Sequence, residues 1–481
     1  MSLRLTNTFS RKKESFTPLK KDHISLYTCG PTVYDFAHIG NFRAYVFEDV
    51  LRRYFEFKHY RVKHVMNFTD VDDKTIAGAA AQGKPLREFT EPYIKAFLQD
   101  LETLNILKAA QQPRATEEIG GMIHLVETLV QKDAAYLSEG SVYFRVDSFA
   151  PYGRLSGKSL EKGEKRSRID HDEYGKEEAN DFALWKKAKE GEPSWDSPWG
   201  KGRPGWHLEC SVMSMKYLGS TLDIHAGGED LIFPHHENEI AQSEAATGKK
   251  FVRYWLHCKH LLINGEKMSK SKGNYYTLRD LVRLGHDPMA IRCVLLSVHY
   301  RQQLNFTLEG LKEAGEAIKK LDECYWKCLS IVMLTQKKET SLASRSDFDQ
   351  HAKLSKCVAD MVTAMEDDLN VSVALAKLFE GLGEINSWFA KERAVPEKDL
   401  CAAIYFFKQV DLLLGFDISK SDSVPNEIID ALSQIIDSRR QKDFAKADSL
   451  RQKMNMMGWF VKDARPGEPS TVKKKLRAWD Q

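Results

Sequence analysis

The chain contains no run approaching the ~18 consecutive apolar residues of a membrane helix, so no helical membrane span is expected. Its opening, MSLRLTNTFSRKKESF, lacks the apolar middle of a signal peptide, which points to the cytoplasm. A dominant charge is also missing. The 71 Lys and Arg stand against 68 Asp and Glu for a formal net charge of +3, so a polyanionic partner must be met by local basic patches. Cysteine is sparse: eight residues, mostly without paired spacing, make a poor disulfide framework for 481 residues. In the cytosol their interest is metal binding or chemistry. Cys324 and Cys328, four apart on an expected helix, read more simply as buried small hydrophobes than as a metal pair. No internal repeat or extended low-complexity tract interrupts the chain, in keeping with a folded multidomain protein.

What is present reads as α/β. HISLYTCGPTVYDFAHIGNFRAYVFEDVLRRYFEF begins as an alternating strand, breaks at Gly30-Pro31, and takes up helical spacing through Val46, Val50, Leu51 and Tyr54. RVKHVMNFTD follows as a second strand, and the alternation predicts a Rossmann-type parallel sheet with its site at the strand ends. The texture changes between residues 115 and 205, where KSLEKGEKRSRIDHDEYGKEEAND looks like an exposed excursion within an insertion. STLDIHAGG and FPHHENEIAQSEAA then resume the pattern. The expected organisation is a sheet domain in two halves, 1–114 and 206–250, split by an insertion at 115–205. A further stretch at 251–304 and a helical bundle at 305–420 follow, with a basic C-terminal domain at 426–481.

In FPHHENEIAQSEAA, Pro234 suits a first helical position, which places His235 and Glu239 on one face and turns His236 toward Ile240. A polar first turn complementing the helix dipole explains this pattern as simply as a site does. Cys29, at the end of the first strand, and Cys210, in GRPGWHLEC, change the weighing. If they meet that face, two thiolates, an imidazole and a carboxylate make a set suited to Zn²⁺, although sequence distance does not establish the meeting. His38 and Gly40 in AHIGNFRAY head the helix after the first strand, where free N–H groups favour phosphate. Lys267, Lys270 and Lys272 in NGEKMSKSKGN form a cationic loop between Gly265 and Gly273, suited to holding polyphosphate charge and releasing it.

HIGN followed by KMSKS resembles the paired signatures of the class I aminoacyl-tRNA synthetases. YTCGPTVYDFAHIGN, NFTDVDDKTI, GRPGWHLECS and GGEDLIFPHHENEIAQS are similar to the cysteinyl-tRNA synthetase family, in the same order over essentially the whole chain. The resemblance implies one zinc ion per chain on Cys29, Cys210, His235 and Glu239, binding the thiolate of L-cysteine. Thr32, Thr69, Trp206 and His225 are implied as pocket residues, with core packing the competing reading. It further implies adenylate chemistry with ATP and Mg²⁺. In that scheme His38 meets phosphate, Gly40 lies against the base, Gly228 and Asp230 face the ribose, and Lys267 and Lys270 meet the departing pyrophosphate. One departure stands out: the usual second histidine of HIGH is Asn41, which can donate a hydrogen bond but carries no charge. Asn41 is expected to serve as a donor.

The basic C-terminal part is implied to bind tRNA(Cys), with Arg439, Arg440, Lys442, Arg451 and Trp459 as candidates, Trp459 either stacking on a base or packing in a core. A monomer with no membrane partner is expected. Two other readings remain open at this point: a cysteine ligase that uses an amino-sugar acceptor, and an inactive relative that only binds RNA.

Overall fold

A computed structural model describes residues 3–158, 168–169, 181–336, 343–391, 395–419, 425–462 and 471–474. The chain divides into two compact units, one of Ser2–Arg279 with Tyr300–Asn305, the other of Asp280–His299 with Phe306–Gln481. Among the described residues no helix is long and apolar enough to cross a membrane.

The first unit is built on four strands, β1 (His23–Thr28), β2 (Arg61–Met66), β3 (Leu222–Gly228) and β4 (Val252–Cys258), in the order β4-β3-β1-β2. All three pairings are parallel, and Ala226 of β3, Thr28 of β1 and Met66 of β2 lie in register. The C-terminal ends of the strands are therefore level. β1 has β2 on one side and β3 on the other, so connections leave it in opposite directions and open a crevice at those ends. The fourth strand lies past residue 250, so the sheet extends beyond the limit expected from sequence.

Three helices bear on that crevice: α1 (Ile39–Phe57), α2 (Trp206–Leu218) and α3 (Glu237–Thr247). α1 buries Val46, Val50, Leu51 and Tyr54, the stripe that the 3.6-residue spacing anticipated, together with Phe42. α3 begins later than expected. Phe233 is extended, as a residue preceding proline tends to be, so Ile232–His236 form an irregular, kinked turn before the α-helix starts at Glu237. A hairpin of Arg4–Asn7 and Lys12–Ser15 covers the free edge of β4, where Asn7 accepts from the Trp255 N–H (3.1 Å) and donates to the Arg253 carbonyl (2.9 Å). That pairing satisfies an edge that would otherwise be open.

Between β2 and α2 lies a separate small sheet of Ala135–Ser138, Ser141–Phe144, Arg168–Ile169, Asp181–Lys187 and Gly202–Pro204. The charged excursion expected over 158–181 lies outside the described residues apart from Lys158, Arg168–Ile169 and Asp181.

The second unit is helical. Leu308–Gln336, Ala352–Glu366, Val371–Lys391 and Glu397–Leu414 are long amphipathic helices; Val371, Ala374, Leu375, Leu378, Leu382 and Ile385 of the third are buried at helical spacing. The unit also holds the shorter helices Pro288–Leu296 and Arg345–Gln350, the helices Asn426–Arg440 and Phe444–Met456, and a strand pair of Trp459–Lys462 and Thr471–Lys474. The strand pair is anchored to the long helix: the Val472 N–H donates to Ser330 Oγ (3.0 Å) and Trp459 meets Trp326 edge-on at 5.9 Å. Trp459 is buried, which agrees with core packing and not with base stacking. Cys324 and Cys328 are buried on the long helix, as their reading as small hydrophobes anticipated.

Candidate active site and metal centre

Cys29 follows β1 directly, Cys210 is in the second turn of α2, His235 is in the kinked turn, and Glu239 is in the first turn of α3. Their ligand atoms all lie within 4.8 Å of one another, and all four residues are buried. Cys29 Sγ is 3.8 Å from Cys210 Sγ and 3.9 Å from Glu239 Oε1. His235 Nε2 is 3.0 Å from the same Glu239 oxygen but off the line of a hydrogen bond, so it remains an unsatisfied buried nitrogen. An orphaned imidazole nitrogen facing two sulfurs and a carboxylate is costly without a cation and suits a borderline-soft metal ion with one.

The electrostatics agree with that donor set. Burial alone would raise the Glu239 carboxyl, but the His225 and His235 imidazoles outweigh it and hold the group at about 2. Burial likewise opposes the Cys210 thiolate, yet hydrogen bonding from Cys29 together with His235 brings it down to about 6. Cys29 is driven the other way, mainly by burial.

Four further histidines surround this cluster. His225 Nε2 meets Glu239 Oε2 at 3.0 Å, His207 Nδ1 meets His235 Nδ1 at 2.9 Å, and His257 Nε2 meets His236 Nδ1 at 2.8 Å. The fourth, His236, does not turn toward Ile240 as straight-helix spacing predicted. The kink at Phe233 resets the helical phase and turns it inward, and its Nε2 reaches Cys29 Sγ at 3.4 Å. Trp206 stacks on His235 at 4.1 Å, and His225 stacks on Trp255 at 4.6 Å. Thr69 donates to Glu209 (2.8 Å) and accepts from Asn67 (3.2 Å), whose Oδ1 accepts from the Gly30 N–H (3.0 Å). Thr32 pairs by backbone with Thr69 beside them. Gly30 is obligatory, because a Cβ there would overlap the Asn67 carbonyl.

On the other side of the crevice, His38 caps α1. Its Nδ1 accepts from the Asn41 N–H (3.2 Å), and Asn41 Oδ1 accepts from the His38 N–H (3.1 Å), a reciprocal capping box. Burial lowers the His38 pKa, so the ring is neutral near pH 7; with Nδ1 accepting, its proton is on Nε2. Gly40 leaves room for that ring: a Cβ would come within 2.9 Å of it and 3.0 Å of Met268 Cε. Lys270 Nζ, on the short 3₁₀ turn Lys270–Lys272, bonds Asp35 Oδ2 at 2.5 Å and lies 5.0 Å from the Tyr275 ring centre. Tyr275 in turn meets His38 edge-on at 5.4 Å. Lys267 is exposed on the same loop. Gly228 ends β3, and Asp230 Oδ1 folds over it into the place a Cβ would take.

The family described as tRNA synthetases class I (C) catalytic domain matches residues 15–316. The chain is 46% identical over 472 residues to the cysteine–tRNA ligase of Caldicellulosiruptor saccharolyticus, covering 97% of this chain and 98% of that one. The chain belongs to the cysteine–tRNA ligase family. A second member, from Chlamydia muridarum, is 46% identical over 481 residues and covers 97% of this chain and 99% of its own. Membership makes the protein an ATP-dependent aminoacyl-tRNA ligase, as HIGN and KMSKS imply. Solved structures share the fold. Mycobacterium tuberculosis methionyl-tRNA synthetase in complex with methionyl-adenylate superposes with a TM-score of 0.58 at 16% identity, over 88% of this chain and 96% of that one. The Agrobacterium radiobacter LeuRS ternary complex with tRNA and LeuAMS gives 0.61 at 11% identity, over 85% of each.

For this member of the family, sequence reasoning missed Asn67, His207, His257, Asp35 and the inward turn of His236. His207 lies inside the matched string GRPGWHLECS and could have been found there. Asn67 and Asp35 likewise lie inside NFTDVDDKTI and YTCGPTVYDFAHIGN, whereas His257 lies outside every matched string and only the register of β4 brings it to the site.

Proposed function

We propose that the protein activates L-cysteine with ATP and transfers it to tRNA(Cys). The observation that carries this reading is the buried Cys29, Cys210, His235 and Glu239 set across one crevice from the His38 cap. Zinc bound by those four side chains would supply a soft Lewis-acid position that takes a thiolate in preference to a hydroxyl, the one-atom difference from serine that a shape pocket reads weakly. Trp206, Thr32, Thr69 and His225 wall the cysteine side.

In the first step the cysteine carboxylate attacks the α-phosphorus of ATP, cysteinyl-adenylate forms, and pyrophosphate leaves. In the second, a terminal ribose hydroxyl of the tRNA attacks the adenylate carbonyl carbon and AMP leaves. No protein nucleophile is required, so the chain acts by positioning and charge. His38 donates from Nε2 to phosphate, and Asn41 holds the turn that aims it. Gly40 lies against the base, Gly228 and Asp230 meet the ribose, and Lys267 and Lys270 neutralise the departing pyrophosphate, whose charge bound Mg²⁺ would further offset. Arg439, Arg440, Lys442 and Arg451 contribute to tRNA binding.

ATP–pyrophosphate exchange with cysteine or serine, before and after chelation and zinc readdition, tests the first half; charging of tRNA(Cys) tests the second. Exchange restricted to cysteine and restored by zinc is expected. Zinc-independent exchange would overturn the ligand assignment, and absence of exchange from folded, zinc-loaded protein would overturn the activity.

A further inference from the structure

We propose that His236 is a metal-binding residue: with Cys29, His225 and Glu239 it forms a second four-ligand position that shares Cys29 and Glu239 with the first and holds the same class of ion, a borderline-soft divalent cation, one ion at a time. This rests on the zinc reading above and extends it.

Geometry supports the second set as well as the first. Its four ligand atoms also lie within 4.8 Å of one another, and all four residues are buried. His236 Nε2 is 3.4 Å from Cys29 Sγ and 3.9 Å from Glu239 Oε1. Bonds of about 2.0–2.3 Å to a tetrahedral ion put neighbouring ligands roughly 3.3–3.8 Å apart, so these separations need only small adjustments.

The outer partners of His236 are those of a ligand. A metal-binding imidazole characteristically has its second nitrogen held by another group, and His236 Nδ1 is 2.8 Å from His257 Nε2, whose Nδ1 is 2.7 Å from Thr8 Oγ1. His235 is held through Nδ1 by His207 in the same manner. The chain from Thr8 can run in either direction. Running inward, it leaves a proton on His236 Nε2 that points at Cys29 sulfur. Running outward, it leaves a lone pair there directed at the Cys29 sulfur 3.4 Å away, the arrangement in which both atoms can bind one cation. His225 is less well supported, because its Nδ1 has no hydrogen-bond partner, and this makes the second position the weaker one. Its consequence is retention: losing Cys210 or His235 leaves a complete four-ligand set.

Cobalt(II) titration of the metal-stripped full-length protein tests this, because thiolate-to-cobalt charge-transfer absorption scales with the number of bound thiolates. Wild type is expected to bind one ion with two-thiolate intensity. His235→Ala should still bind one ion, about 10- to 100-fold more weakly, with about half the charge-transfer intensity. Adding His236→Ala should abolish stoichiometric binding. Cys210→Ser provides a second background, in which His236→Ala should again remove the ion, and circular dichroism melts confirm that each variant is folded. The proposal is overturned if folded His235→Ala keeps two-thiolate intensity, if both single variants lose the ion, or if His236→Ala changes nothing in either background. Wild type with no ion would overturn the zinc reading and this proposal together. Wild type with one-thiolate intensity would instead support the second position and overturn the first as the resting one.

Discussion

Replacing Asn41 by alanine separates two jobs that one side chain can perform. Its Oδ1 accepts from the His38 N–H at 3.1 Å, closing the first turn of α1. The same segment is held from outside by the Tyr276 carbonyl, which accepts from the Ile39 N–H at 3.0 Å. Removing Oδ1 therefore loosens the turn without releasing it, at a cost of about 1 kcal/mol, as for other lost caps. That alone should lower the melting temperature by about 1–2 °C and exchange by roughly fivefold. If the amide also donates to charge that develops on phosphate, its loss adds about 2.7–4 kcal/mol, or 100- to 1,000-fold in kcat. The expected result is a fall of at least 100-fold in ATP–pyrophosphate exchange, with the KM for cysteine within about twofold of wild type. Asn41→Asp distinguishes the two contributions, because it keeps the accepting oxygen and lacks the donor: stability should return while exchange stays low. Wild-type exchange in Asn41→Ala, or a cysteine KM that rises as far as kcat falls, would refute the reasoning.

Other substitutions test neighbouring parts of the argument. Cys29→Ser should lose both bound zinc and cysteine-dependent exchange; a variant with full zinc content and activity would remove Cys29 from the site. Gly40→Ala, whose Cβ meets the His38 ring at 2.9 Å, should cost about tenfold in exchange through displacement of that ring, and an unchanged rate would show that the ring has room to give. His64 is buried, and chiefly for that reason, with Arg52 adding to it, its pKa falls from 6.5 to about 3. Its neutral form therefore contributes stability that is complete above pH 6.5 and lost as pH falls toward 3. His64→Gln should flatten the acid limb of urea-unfolding stability by ~3 kcal/mol between pH 7 and 4, and an unaltered limb would contradict the burial argument. Replacing Arg439, Arg440 and Lys442 together with alanine should raise the tRNA KM and reduce its log–log salt slope by about 2, at 0.7 per single-strand phosphate contact, leaving exchange intact; loss of exchange would place these residues in the catalytic half.

What could be read from the sequence divides along a physical line. The strand–helix–strand alternation, the buried face of α1 and the burial of the helical bundle follow from periodicities of two and 3.6, which are local properties of neighbouring residues. HIGN and KMSKS are legible for a related reason: backbone N–H groups at a helix start and lysines on a glycine-bounded loop each do their work within a few residues. The metal set was only half legible. His235 and Glu239 share a face by spacing, and their 3.0 Å approach agrees, but the meeting with Cys29 and Cys210 is a product of parallel register and could not be deduced from distance along the chain. His236 failed for a sharper reason. The spacing rule assumes an α-helix from Pro234, whereas an extended Phe233 and a kinked turn through His236 delay the helix to Glu237. Adjacent histidines that a regular helix would send about 100° apart can both face one buried carboxylate, because the turn between strand and helix is irregular. Trp459 shows the same limit from the other side: among basic residues it looks like a base-stacking platform, and only the long-range arrival of Trp326 and Ser330 makes its strand part of a core. Local pattern identifies which residue types could do chemistry; the register of distant strands and the irregular turns decide which of them meet.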